Sequence, residues 1–234
     1  MGEPAYDRLK QVVDEVRGER LSGFLQEVSS AAGLEVEPSD GRPGELRLPL
    51  LSEYRCLIFT TRLWGWYREE LEDIQEFCRQ GGSVLIMSNH PPYNRRDNAL
   101  AKVFGFSFSE PAYPWHGGSF GVTRLMEEHL AEHSITGGLD EGVVFNNCCG
   151  VRVEDEGEAT HRVLARLPEE PPPANVFALA MEAPLGEGAG RVVGIGDSGF
   201  IGASGTGWPG PGQFDEGDNR LFMANAIRWL CRQT

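Results

Sequence analysis

Residues 54–90 read YRCLIFTTRLWGWYREELEDIQEFCRQGGSVLIMSNH, and this stretch decides the fold. Arg55 to Thr60 is a continuous apolar run, the pattern of a strand covered on both faces. Tyr67 to Gln80 places Leu71, Ile74, Phe77 and Cys78 on one helical face. Gly81 and Gly82 follow, as expected where a helix ends in the left-handed conformation glycine tolerates. Ser83 to Ser88 is a second buried strand. Strand, helix, Gly-Gly and strand form a crossover that is right-handed by default.

Working outward, the same alternation continues. Leu9 to Val13 reads as a short buried strand or as the first turns of a helix. Glu19 to Ala32 has helical spacing and stops at Gly33, and Leu34 to Val36 is a further strand. Asn98 to Phe104 reads as a short helix, Ser107 to Gly121 as an extended loop, and Leu125 to His133 as a helix. Val143 to Phe145, Val151 to Val153 and Arg162 to Leu167 are short strands, an antiparallel excursion around residues 143–167. Pro168 to Pro173 is a stiff connection. Val176 to Met181 and Arg191 to Ile195 are strands joined by a Gly-rich turn, and Leu221 to Cys231 is the closing amphipathic helix. No repeat or boundary divides the chain, so a single α/β domain over residues 1–234 is expected. It should be a three-layer sandwich with a mainly parallel central sheet.

Composition narrows the partners. The 234 residues carry a formal net charge of −14, with no Lys/Arg-rich run. Such a field repels phosphate backbones and anionic membranes, which argues against nucleic acid and membrane surfaces as partners. The five cysteines, Cys56, Cys78, Cys148, Cys149 and Cys231, have no disulfide-framework spacing. Reduced thiols and a cytoplasmic location are expected. There is no apolar signal core near Met1 and no apolar run of membrane-spanning length.

Four passages resemble class I glutamine amidotransferase-like domains, including uncharacterised and trehalose-utilisation-type members. VVDEVRGERLSGFLQEV (residues 12–28) resembles their opening strand, acidic loop and first helix. Residues 54–90 resemble their central crossover. EHSITGGL (132–139) resembles their His-Pro-Ile-Thr segment. GRVVGIGDSGFIG (190–202), followed by DNRLFMANAIRWL (218–230), resembles their closing strand, Gly-Asp-Ser turn and final helix. The resemblance spans most of residues 8–231 and implies a flavodoxin-like sandwich. Two departures bear on activity. Active members carry a nucleophilic cysteine in a G-x-C-x-G turn, whereas here Asn89, His90 and Pro91 follow the central strand. Ser134 stands in place of the proline in the His-Pro-Ile-Thr segment.

In open α/β sheets, ligands bind at the carboxyl ends of strands. That rule selects Asp14 and Glu15 after the first strand, Asn89 and His90 after Ser88, and Asp197 and Ser198 after Ile195. His90 and Asp197 are the catalytic candidates, His90 as a general base and Asp197 as its orienting carboxylate or as a turn-forming residue. Trp64, Trp66 and Trp115 are rim aromatics suited to stacking on a ligand, or to packing. Residues 205–212 (GTGWPGPG) read as a flap or as a flexible loop.

Several motif matches lead nowhere. His129 and His133, four apart, are an incomplete metal site. Gly194 to Gly199 satisfies G-x-G-x-x-G but opens no helix, and the tetrapeptide GDSG at 196–199 lacks the all-β setting of trypsin-like proteases. No cofactor and no metal set are indicated.

The leading expectation is a non-catalytic amidotransferase-like domain that binds a small polar, sugar-like ligand or a protein partner. The alternatives are a hydrolase or isomerase of a sugar-like substrate, using His90 with a carboxylate or divalent cation, and a pure assembly module. Homo-oligomerisation is left open.

Overall fold

A computed structural model describes residues 8–12, 22–39, 42, 44–60, 64–110, 113, 115–116, 119–120, 122–153, 160–168, 175–199, 201–202 and 213–233. The crossover predicted from residues 54–90 is its centre. Strand β3 (Cys56–Thr60) and strand β4 (Ser83–Met87) are buried along their whole lengths and pair in parallel, with helix α3 (Arg68–Arg79) between them. Helix α3 buries Ile74, Phe77 and Cys78. At its start the Glu70 carboxylate accepts from the Tyr67 N–H at 3.1 Å and the Gly44 N–H at 3.3 Å. An orphan donor of the first turn is thereby satisfied, and the preceding connection is anchored to it. Gly81 has φ +100°, the left-handed stop that only glycine adopts at no steric cost. Gly82 lies flat on Phe77, where a Cβ would fall 2.2 Å from the ring.

Strand β1 (Arg8–Val12), helix α1 (Ser22–Ala32), strand β2 (Glu35–Ser39) and the short helix α2 (Leu48–Leu51) precede this unit. Strands β1, β2, β3, β4 and β13 (Arg191–Ile195) lie in the order β2-β1-β3-β4-β13, all parallel. That is the 2-1-3-4-5 order of flavodoxin-like sheets. Beyond β13 the sheet turns antiparallel. Strand β12 (Val176–Glu182) pairs with β13, with β11 (Thr160–Arg166) and with β10 (Val151–Val153), and β10 pairs with β5 (Phe106–Phe108). The sheet is thus parallel from its β2 edge to β13 and antiparallel beyond it.

The β-strand period of two sends alternate side chains to two cores. One face carries Cys56, Ile58, Leu85, Met87, Val193 and Ile195 beneath α1 and the last helix α5 (Asn219–Leu230), which contribute Phe24, Val28, Phe222 and Ile227. The other carries Leu57, Phe59, Val84, Ile86 and Val192 beneath α2, α3 and helix α4 (Tyr93–Ala101). Each such side chain contributes about 1.5–3 kcal/mol of burial.

Two of the sheet's terminal strands, β5 and β2, are blunted differently. On β5 the Asn98 side chain accepts from the Phe108 N–H and donates to the Phe108 carbonyl, and Asn94 donates to the Ser109 carbonyl. These amides occupy groups that a foreign strand would otherwise pair with. Edge strand β2 carries Pro38 and two glutamates, which oppose strand addition.

Several expected elements take another form. The helix expected over 125–133 is absent. Leu125 ends strand β8 (Val122–Leu125), Glu127–His129 is one 3-10 turn, and the chain then bends through residues 132–138. Strand β8 pairs with β9 (Val143–Asn146), which leaves the main sheet, and tertiary pairing overrides a weak helical spacing. His129 and His133 therefore do not share a helical face. Each ring accepts a local amide: Met126 N–H to His129 Nδ1 at 3.3 Å and Ile135 N–H to His133 Nδ1 at 3.1 Å. The loop expected over 107–121 contains the end of β5 and a small hairpin of β6 (Trp115–His116) and β7 (Ser119–Phe120). The short helix expected at Asn98 begins earlier, at Tyr93. Among the described residues, no helix is long and apolar enough to cross a membrane.

Candidate functional site

Strands β4 and β13 are neighbours in register, Met87 opposite Ile195, so the chain leaves both at the same level. The Ser88 N–H donates to the Ile195 carbonyl at 2.9 Å, extending the ladder one residue past β4. From there two loops diverge, Ser88-Asn89-His90 and Gly196-Asp197-Ser198-Gly199. They are tied again by a side-chain bond, Asn89 Nδ2 to Ser198 Oγ at 3.3 Å. Asn89 and Ser198 thus meet at the carboxyl ends of two adjacent central strands, with His90 and Asp197 beside them in sequence.

Each has an assigned local duty. Asn89 Oδ1 accepts from the His90 N–H at 2.7 Å. Asp197 is fully buried, and its Oδ1 accepts from the Gly199 N–H at 2.6 Å, the two-residue turn an aspartate makes at a strand end. His90 is half-buried, and its Nδ1 lies 2.7 Å from the Pro91 carbonyl. A carbonyl only accepts, so Nδ1 carries a proton here. The Pro91 carbonyl stands where a triad would place its orienting carboxylate.

Beneath the loops lies a polar group that sequence reading passed over. Ser88 Oγ donates to Asp97 Oδ2 at 2.7 Å, and both residues are buried. Asp97 projects from the interior of α4, where an aspartate is a poor helix former, and that misplacement was its only signal. Beside them Cys149 is fully buried, its Sγ 3.1 Å from the Gly196 carbonyl. Burial pushes its thiol well above the ordinary range; a Ser88 hydrogen bond opposes the shift, and the Asp97 and Asp197 carboxylates add to it. A thiol so held is not a thiolate at neutral pH and is a poor nucleophile. Gly196 is required here, because a Cβ would lie 1.9 Å from the Cys149 carbonyl oxygen. Among the described residues, no group of three or more His, Cys, Asp and Glu side chains is arranged to hold a metal ion.

The sheet is doubly wound in its parallel part, and solved structures share the fold. The N-terminal domain of mmIFT52 superposes with a TM-score of 0.70 at 12% identity, covering 95% of this chain and 96% of that one. A ThuA-like protein from Parabacteroides merdae ATCC 43184 gives 0.58 at 12% identity over 97% and 90% of the two chains. One from Bacteroides uniformis ATCC 8492 gives 0.57 at 13% over 98% and 93%. The chain is similar in fold to the mmIFT52 N-terminal domain and to ThuA-like proteins. At these identities the likeness concerns fold alone. No family model matches the sequence, and no curated protein matches it at a significant level.

The remaining candidates divide. Trp64 is 49% exposed near the end of β3, whereas Trp66 is partly buried with its ring 5.5 Å from that of Phe59. Trp64 is thus available to a ligand and Trp66 is committed to packing. Trp115 begins the β6–β7 hairpin, and only its backbone is described. Asp14, Glu15 and residues 205–212 lie outside the described residues.

Proposed function

We propose that this chain is an amidotransferase-like domain without glutaminase chemistry, whose strand-end crevice binds a small polar, sugar-like ligand. The observation that carries this reading is the Asn89–Ser198 bond over a sealed Cys149 thiol. The side chains at the two strand ends brace one another, and the cysteine nearest to them is buried and held protonated. A braced, polar strand-end floor suits recognition of hydrogen-bonding ligands, and Trp64 is exposed four residues past the end of β3, the neighbour of β4. The test is ammonia release from glutamine by the wild type and Cys149→Ser. No release above buffer from either protein is the expected result. Turnover that Cys149→Ser abolishes would overturn the reading.

One observation favours a second reading, a hydrolase or isomerase of a sugar-like substrate. The Pro91 carbonyl holds a proton on His90 Nδ1, the ring orientation in which Nε2 is the nitrogen that serves as a general base. A product formed from a hydroxylated substrate by wild type and not by His90→Ala would establish that reading in place of the first.

A further inference from the structure

At the end of the sheet away from the Asn89 and Asp197 loops, a half-buried histidine ring stands among arginines. His133 lies against the buried Trp229 indole, with ring centroids 5.3 Å apart. The Arg191 guanidinium lies over the same indole, its Cζ 4.6 Å from the ring centroid. Arg191 is the first residue of β13, so this group sits at the amino end of that strand.

Strand register brings a second arginine to the ring. Leu130 bridges Ala165 in antiparallel fashion, and the Ala131 N–H donates to the Leu164 carbonyl at 2.9 Å. Continued by two residues, that pairing sets His133 across from Arg162 on β11. Leu164 belongs to the core beneath α5, and Arg162, two residues before it, projects from the same face of the strand. The segment is held on α5 by Asn225, whose Nδ2 donates to the Ile135 carbonyl at 3.3 Å and the Gly137 carbonyl at 3.1 Å. The charges of Arg162 and Arg191 both reach His133 and, after burial, help to hold its pKa down, against the opposing charge of Glu182.

The groups differ in what they have left to offer. The Ile135 N–H donates to His133 Nδ1 at 3.1 Å; an N–H only donates, so Nδ1 holds a lone pair and Nε2 carries the ring proton. Arg191 is committed, donating to the Trp229 carbonyl at 2.7 Å and to the Glu182 carboxylate at 3.1 Å. Arg162 is exposed, and among the described residues no carboxylate pairs with it.

We infer that Arg162 and the Nε2–H of His133 form a site for a small oxyanion, a carboxylate or phosphate group, at the amino end of β13. Both groups are donors only, and a guanidinium fork beside a ring N–H matches the oxygens of one such group. Arg191 adds positive field while it stays bonded to Glu182. The formal net charge of −14 does not oppose this at short range, because salt screens charges beyond about 8–10 Å. None of the strand-end crevice residues takes part, so this site stands or falls separately from the crevice reading.

The test is NMR titration of the His133 ring signals at pH 7.5 with inorganic phosphate and with acetate, against chloride at equal ionic strength. It is run on wild type, Arg162→Met and Arg152→Met. Both arginines are exposed, on β11 and β10, so both variants should fold as the wild type does. The expected result is a saturable shift with phosphate or acetate and none with chloride, the tighter of the two naming the group. Its Kd should rise about tenfold in Arg162→Met and stay unchanged in Arg152→Met. No saturable shift with either oxyanion, an unchanged Kd in Arg162→Met, or an equal loss in both variants would overturn the inference.

Discussion

The side-chain amide of Asn89 donates to the hydroxyl of Ser198 at 3.3 Å across 109 residues of sequence, joining the loops that leave β4 and β13. Ser198→Ala removes the acceptor and leaves a buried amide short of one partner. A loss of about 1 kcal/mol is expected, measured as a lower denaturant midpoint at unchanged m-value. Amide exchange should rise at residues 89–90 and 197–199 and not in β3. An unchanged midpoint with unchanged exchange would show that the two loops are held by something else.

Gly196→Ala should be far more damaging than its size suggests. The added methyl would sit 1.9 Å from the Cys149 carbonyl oxygen, against backbone that is itself bonded to Gly196. A cost of at least about 3 kcal/mol is expected, seen as loss of the cooperative thermal transition or a large drop in Tm. A variant as stable as wild type would contradict the close approach of the Cys149 backbone to Gly196.

Acid should weaken the fold through His133. Burial, with Arg162 and Arg191 adding to it, holds its pKa below the ordinary value, and its Nδ1 accepts the Ile135 N–H. The unfolded chain therefore binds the proton first. Stability from this group is complete above about pH 6.5, falls as the pH drops below that value, and is fully lost below the folded-state pKa. His133→Asn keeps a local acceptor without a titrating ring, so it should flatten the dependence of Tm on pH in that window. An identical slope in the variant would remove His133 from the account.

The thiols make a separate check on the cysteine reading. All five are free and buried, and burial raises Cys78 and Cys231 to about 12. An aromatic disulfide reagent should label native protein slowly and denatured protein rapidly at every cysteine. Fast native labelling at Cys149 would contradict the sealed site.

Legibility in the sequence followed the strength of local periodicity. The residues 54–90 crossover was readable because both strands are buried on two faces and the helix between them carries one apolar stripe with a glycine stop. The 125–133 segment was not, since a strand next to a single 3-10 turn imitates helical spacing over so few residues. Asn89, His90, Asp197 and Ser198 could be chosen because strand ends in this architecture carry sites. Their mutual bonds could not, because residues 109 positions apart meet only through sheet order. Asp97 and Cys149 lie in a helix and a connection whose spacing carries no chemical signature. Only the register between β4 and β13 brings that chemistry into view.

The most direct measurement of the central claim is thermal unfolding of wild type and His90→Ala against sugars, polyols, sugar phosphates and amino acids. A ligand well above its Kd raises the midpoint by mass action. The account predicts a rise with an uncharged hydroxylated compound in wild type that disappears in His90→Ala. No rise with any compound, or an equal rise in both proteins, would contradict a ligand site at the ends of β4 and β13.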